Sequence, residues 1–97
     1  MPVSLSSIVA ASADQLSCEL GGETAILNTR SGRYFGVEGV GARIWNLIQG
    51  PAKVAEVRDA LLAEYEVATE QCEAELLELL ERLAGAGLIE VHAEATA

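Results

Sequence analysis

The chain is poor in aromatic residues, in basic residues and in long apolar runs, and each shortage excludes something. Only Tyr34, Phe35, Trp45 and Tyr65 carry aromatic rings, so the core must be built from Leu, Ile, Val and Ala. Six basic residues stand against 15 acidic ones, a formal net charge of −9. Nucleic acid is therefore not an expected partner, because neutralising phosphates takes clustered Lys and Arg. The same charge argues against an anionic membrane surface. No window approaches the ~20 apolar residues of a membrane-spanning helix. Residues 1–13 lack the basic n-region of a signal peptide, and a cytoplasmic location is expected. Cys18 and Cys72 form no CxxC pair, and two buried free thiols are expected over a single disulfide in a reducing compartment.

Catalytic and ligand-binding signatures are missing as well. His92 is the only histidine and sits near the end of the sequence, so neither a Cys/His nor a Ser/His pair has support. Cys18, Cys72 and His92 share no spacing that suits a metal. The glycines of Gly36-Val37-Glu38-Gly39-Val40-Gly41 have no nucleotide-binding unit around them. No enzyme activity, cofactor or metal is expected.

What is present is one domain's worth of chain, 97 residues of which 51% are apolar. That is too apolar for disorder throughout. Residues 1–13 read as an N-terminal arm, with Ser6 to Ala10 either pairing as a short edge strand or fraying. Residues 14–91 read as the folded domain and residues 92–97 as a loose tail. Leu16, Cys18 and Leu20 alternate with Gln15, Ser17 and Glu19, the period of a strand with one apolar face. Gly21-Gly22 supplies a tight turn. Thr24 to Leu27 forms a second strand, and Arg33 to Val37 a third after the polar turn at Asn28 to Gly32. The last strand is an expected sheet edge.

Beyond it the period becomes helical. Val40, Ile44, Leu47 and Ile48 mark a first helix ended by Gly50-Pro51. Val54, Val57, Leu61 and Tyr65 mark a second. A third begins at Thr69 as N-cap, with Glu70 and Glu73 near its positive end, and runs to about Ala86. Leu88 to Val91 exits as an extended segment. The expected fold is α+β, a three-stranded antiparallel β-meander followed by three α-helices, similar to a winged helix-turn-helix.

On a wheel of about 100° per residue, the apolar arc of the third helix spans roughly 160°, against about 100° for a simple core stripe. Either the helix is deeply buried, or Leu77, Leu80 and Ala84 face the core while Cys72, Leu76, Leu79 and Leu83 line a groove. An open strand beside such a groove suits peptide capture. The strand offers unpaired N–H and C=O groups, and the flank offers pockets for alternate side chains. Gly36 allows close backbone approach. Trp45 reads as a core or core-rim aromatic. Arg33 and Arg43 could reach a peptide carboxylate, or simply be solvated. Glu70, Glu73, Glu75, Glu78 and Glu81 read as a solvated helix face.

The stretch Gly32-Arg33-Tyr34-Phe35-Gly36-Val37-Glu38-Gly39-Val40-Gly41-Ala42-Arg43-Ile44-Trp45 resembles the strand-to-helix signature of PqqD-like proteins, also called RiPP recognition elements. Leu20-Gly21-Gly22-Glu23 and Gly87-Leu88-Ile89-Glu90 fit the same pattern, so the resemblance runs from about Leu16 to Val91. Family members commonly carry Asn in place of Glu38 and an acidic residue in place of Gly39. The resemblance implies a non-catalytic adaptor that binds the leader segment of a precursor peptide as an antiparallel strand. It puts the backbone of Arg33, Tyr34, Phe35, Gly36 and Val37 against the leader, with Cys72, Glu75, Leu76, Leu79 and Leu83 along the groove. Within the family the chain looks most like the stand-alone leader-binding proteins of lasso-peptide systems, whose partner is a cysteine-protease-like leader peptidase. PQQ biosynthesis and other peptide-modifying pathways use similar modules. The alternatives from other classes are an acidic winged-helix interaction subunit and a DNA-binding regulator.

Overall fold

The computed structural model describes residues 3–92. Its elements are β1 (Ile8–Ala11), β2 (Gln15–Leu20), β3 (Glu23–Asn28), β4 (Tyr34–Glu38), α1 (Val40–Leu47), β5 (Ala52–Lys53), α2 (Val54–Glu64), α3 (Thr69–Gly85) and β6 (Ile89–His92). The α+β order expected from the periodicities is the one observed. The strands form two sheets, however, in the orders β2-β3-β4 and β5-β1-β6.

The first sheet is the meander. Gly21 and Gly22 turn it with φ of 60° and 86°, a region open to glycine at little cost. Register sets Leu16 opposite Leu27 and Leu27 opposite Tyr34, while Ile26 pairs with Ser17 and Phe35. Thr24, Ile26, Asn28 and Val37 are buried on the inner face. Leu16, Cys18 and Leu20 therefore point outward, opposite to what their apolar alternation suggests for a core. Leu16 and Leu20 are 64% and 65% exposed. The inner positions of β2 pair with core residues but lie at the sheet's margin, so Ser17 and Glu19 stay wet.

The second sheet corrects the reading of residues 1–13 as an arm with an edge strand. β1 is its central strand, antiparallel to both neighbours, with Val9 opposite Ala52 and Val91 and fully buried. Its flanking backbone also closes helix ends that have no side-chain cap. Val54 N and Ala55 N, in the first turn of α2, donate to the carbonyls of Ser7 and Leu5, both at 3.0 Å. Ile48 O, at the end of α1, accepts from Ala11 N at 2.8 Å. These are the groups a helix leaves unpaired at its ends, and burying them unpaired is costly. His92 is the last residue of β6, and the rest of the expected tail, 93–97, lies outside the described residues, as do residues 1 and 2.

The helices match their expected spans closely. Ala68 rather than Thr69 is the N-cap residue of α3. Trp45, Ile48, Val54, Leu61, Leu76, Leu80, Leu83 and Leu88 are almost entirely removed from water and form the core with Ile26 and Val9. Arg43 donates twice to Glu64, both bonds 2.8 Å, joining α1 to α2. Arg58 joins α2 to α3 through Glu73 at 2.6 Å. Just past the end of α3, Gly87 has a φ of 73° that lets Leu88 N reach back to Leu83 O at 3.0 Å.

Candidate functional site

Among the described residues β4 has β3 on one side and no strand on the other, as expected for an edge. Asn28 N donates to Arg33 O at 2.8 Å, so Asn28 and Arg33 are a hydrogen-bonded pair. By the alternation of an antiparallel ladder, Ile26/Phe35 and Thr24/Val37 are also bonded pairs. The N–H and C=O groups of Tyr34 and Gly36 therefore face away from the sheet, toward the open side. Tyr34 itself is 74% exposed and Gly36 is exposed.

β4 and α3 run in opposite directions beside one another. The Arg82 guanidinium lies over the Phe35 ring, 5.1 Å from its centroid, near the start of the strand. Past the strand's end, Gly41 has the side chains of Val37 and Leu79 within 3.3 and 3.7 Å of where a Cβ would sit. Asn28 holds the sheet to the end of α3. Its Nδ2 donates to Ala86 O at 2.8 Å, and its Oδ1 accepts from Arg30 N and Ser31 N at 2.9 and 3.2 Å.

Two hollows lie along this channel. One, of about 210 Å³, is bordered by Glu75, Glu78, Leu79 and Arg82. The other, of about 240 Å³, is an apolar pocket between the start of α1, the end of α2 and α3. Val40, Ile44, Leu61, Tyr65 and Val67 form its greasy wall, Cys72 and Leu76 its floor, and Glu66 and Glu75 its charged rim.

The division of α3 expected for a groove needs correction. Cys72, Leu76, Leu80 and Leu83 form one buried stripe, with Leu76 and Leu83 only 1% and 0% exposed. Leu77, Leu79 and Ala84 are half-buried on its two margins. The stripe is tilted on the wheel toward Leu76 because α2 and β6 pack on α3 from that side. Leu83 is thus core, Cys72 and Leu76 are core residues that also floor the pocket, and Leu79 and Glu75 remain on the channel's wall. Val40, Ile44 and Tyr65, which sequence periodicity assigns to helix packing, turn out to line the pocket. Val40 and Tyr65 keep substantial exposure, a signal that periodicity does not carry. Glu78 and Arg82 were also missed, since charge on a helix face reads as solvation.

Ionisation is quiet here. Burial, with Glu75 and Glu73 adding to it, raises the Cys72 thiol above its usual pKa. Cys18 is exposed rather than buried, and both thiols are free. The Arg43 guanidinium holds the Glu64 carboxyl below its usual range. Arg43 is therefore engaged, whereas Arg33 makes no ion pair among the described residues. Among the described residues no cluster of His, Cys, Asp or Glu is disposed to hold a metal ion, and no helix is long and apolar enough to cross a membrane.

An exposed strand edge beside an apolar pocket defines a class, a small domain built to take an extended peptide. The chain belongs to the PqqD family: residues 23–89, more than half its length, match the family model of coenzyme PQQ synthesis protein D. Among solved structures, the chain is similar to TbiB1 in complex with the TbiA(beta) leader peptide, with 34% identity and a TM-score of 0.78. That similarity covers 84% of this chain and 94% of TbiB1. It also shares its fold with a lasso peptide synthetase B1 complexed with its leader peptide, at 22% identity and a TM-score of 0.75, covering 84% and 96%. No curated relative matches the chain.

Gly39 accounts for the departure from the family's pattern. It is the N-cap residue of α1 at φ 57° and ψ −126°, a conformation suited only to glycine. The turn is made by backbone freedom in place of a capping side chain.

Proposed function

We propose that the chain is a non-catalytic adaptor of lasso-peptide biosynthesis that captures the leader segment of a precursor peptide and presents it to a leader peptidase. The observation that carries this reading is the uncovered edge of β4 beside the α3 channel. An extended peptide adds there antiparallel to β4, bonding to the outward groups of Tyr34 and Gly36 with Arg33, Phe35 and Val37 alongside. Alternate side chains of such a strand fall toward the channel, where Leu79 and the pocket over Cys72 and Leu76 receive apolar groups, an aromatic ring or a proline among them. Glu75 stands on the rim between the two hollows. The similarity to TbiB1, a protein seen with a leader peptide, supports the same occupant.

The partner enzyme we propose is a cysteine-protease-like leader peptidase. A surface separate from the channel is free to meet it. Leu16, Leu27 and Tyr34 form one cross-strand row on the outer face of the meander, with Leu20 beside it, all exposed. A peptide added to β4 extends this same sheet, so its outward side chains continue the row, and an enzyme docked there meets adaptor and leader together.

Strand addition is tested by N-methylating the TbiA(beta) leader one residue at a time and titrating each peptide by fluorescence anisotropy. Binding of the parent at roughly micromolar strength or tighter is expected, with losses that alternate with period two as the methyl falls on bonded and unbonded amides. A parent that does not bind, or losses without alternation, would sink the proposal.

A further inference from the structure

Charge along the channel is sorted by sign. Of the arginines, Arg30 pairs with Asp14, Arg43 with Glu64, and Arg58 with Asp59 and Glu73. Arg33 and Arg82 make no ion pair among the described residues, and both sit at the Tyr34 end of the channel, Arg82 over Phe35. At the other end stand Glu66 and Glu75 on the pocket rim, with Glu78 one turn along, none of them in an ion pair among the described residues. Glu75, Glu78 and Arg82 follow at i, i+3 and i+7, so they share the helix face that borders the hollow. Seven residues of helix separate Glu75 from Arg82 by about 10 Å along the axis. That is about one Debye length at 0.1 M salt, so Glu75 and Arg82 are partly screened from each other, and Glu78, four residues from Arg82, marks where the sign changes along the channel.

We infer that the channel selects its peptide by charge order: a basic residue in the half that passes Glu66, Glu75 and Glu78, and an acidic residue in the half that passes Arg82 and Arg33. This inference rests on the leader-binding reading above. For a strand antiparallel to β4, the basic half is the N-terminal one. The same order opposes the reversed strand, which would set like charges against each other at both ends, so charge adds to register in fixing direction. The acidic excess of the chain as a whole makes a different forecast. A uniform negative field would favour added lysine at every position of the peptide, whereas the sorted channel reverses the preference part-way along.

The probe is the fluorescein-labelled TbiA(beta) leader, carrying a single Lys or a single Glu at each position in turn and titrated by anisotropy at low and high salt. Lys is expected to tighten binding and Glu to weaken it in the N-terminal half, with the opposite in the C-terminal half. Each change should be roughly two- to fivefold, as for exposed ion pairs, and should fade at high salt. Arg82→Gln should abolish the preference for Glu in the C-terminal half only. Glu75→Gln with Glu78→Gln should abolish the preference for Lys in the N-terminal half only. Circular dichroism checks that these surface variants stay folded. Lys favoured throughout, or preferences unmoved by the variants, overturns the charge order while leaving the adaptor reading intact. A parent peptide that fails to bind removes both.

Discussion

The described residues form two three-stranded sheets, and these are put to opposite uses. In β5-β1-β6 the central strand carries Val9 into the core, its last residue Ala11 bonds to the end of α1, and the segment before it bonds to the start of α2. This sheet closes the domain. In β2-β3-β4 the inner face of β3 and β4 buries Thr24, Ile26, Asn28 and Val37, while the outer face presents Leu16, Leu27 and Tyr34, and among the described residues the far side of β4 carries no strand. Strand count and pairing sense are shared, so neither explains the difference. What differs is where the unpaired backbone goes. The closing sheet draws neighbouring carbonyls and amides into capping the helices, and the open one leaves a row of them for something else. An edge left bare is an aggregation hazard unless function requires it.

The contrast breaks most visibly at Val9. A Val9→Asp substitution places a charge at a fully buried position and should cost more than about 4 kcal/mol, enough to unfold a domain of ordinary stability. Leu27→Asp, on the outer face of the open sheet, should shift stability by less than about 1 kcal/mol. Urea titration followed by circular dichroism compares the two. Equal losses would mean that the outer face is as structural as the closing sheet.

The next largest effect sharpens the comparison along α3. Leu83→Ala should lower stability by roughly 2–5 kcal/mol, since its side chain is wholly enclosed. Leu79→Asp should instead keep the fold, with leader affinity reduced about tenfold or more in the anisotropy assay. Loss of both fold and binding in Leu79→Asp would make that side chain core.

The smallest effect concerns the two thiols, one on the open sheet and one in the core of α3. Cys18 lies exposed on the open sheet, and Cys72 lies buried under the pocket with its pKa raised chiefly by burial. Thiolate is the reactive form, so a raised pKa and poor access act together at neutral pH. Ellman's reagent should label Cys18 promptly and Cys72 slowly, with Cys72 catching up in denaturant. Equal rates in the native protein would show that the pocket floor opens freely.

Much of this was legible from the residues in order. Period-two alternation at Leu16, Cys18 and Leu20 marks a strand correctly, yet cannot say which face turns outward. The outward face of β2 is apolar, and only the pairing of Ser17 and Glu19 with the buried Ile26 and Thr24 of β3 shows that they are on the inner side. The arc on α3 likewise announces a helix with more apolar surface than one stripe needs. Which flank becomes core depends on the positions of α2 and β6. Of the second sheet, the sequence marked a short strand as one option for Ser6 to Ala10 and an extended exit at Leu88 to Val91, but neither β5 nor the pairing of the three, because β1 and β6 have four residues each and β5 has two. Segments so short carry too few alternations to register.

By itself the sequence determined the local elements, the turn at Gly21-Gly22, the open end of the meander and the family signature running through Trp45. These rest on periodicity and on backbone freedom, which act between near neighbours. The tertiary structure alone decided the central place of β1, the outward turn of the apolar face of β2, the pocket over Cys72 and the sorting of charge from Glu75 to Arg82. Each depends on residues far apart in the chain being brought together, and long-range packing, not local preference, sets those distances.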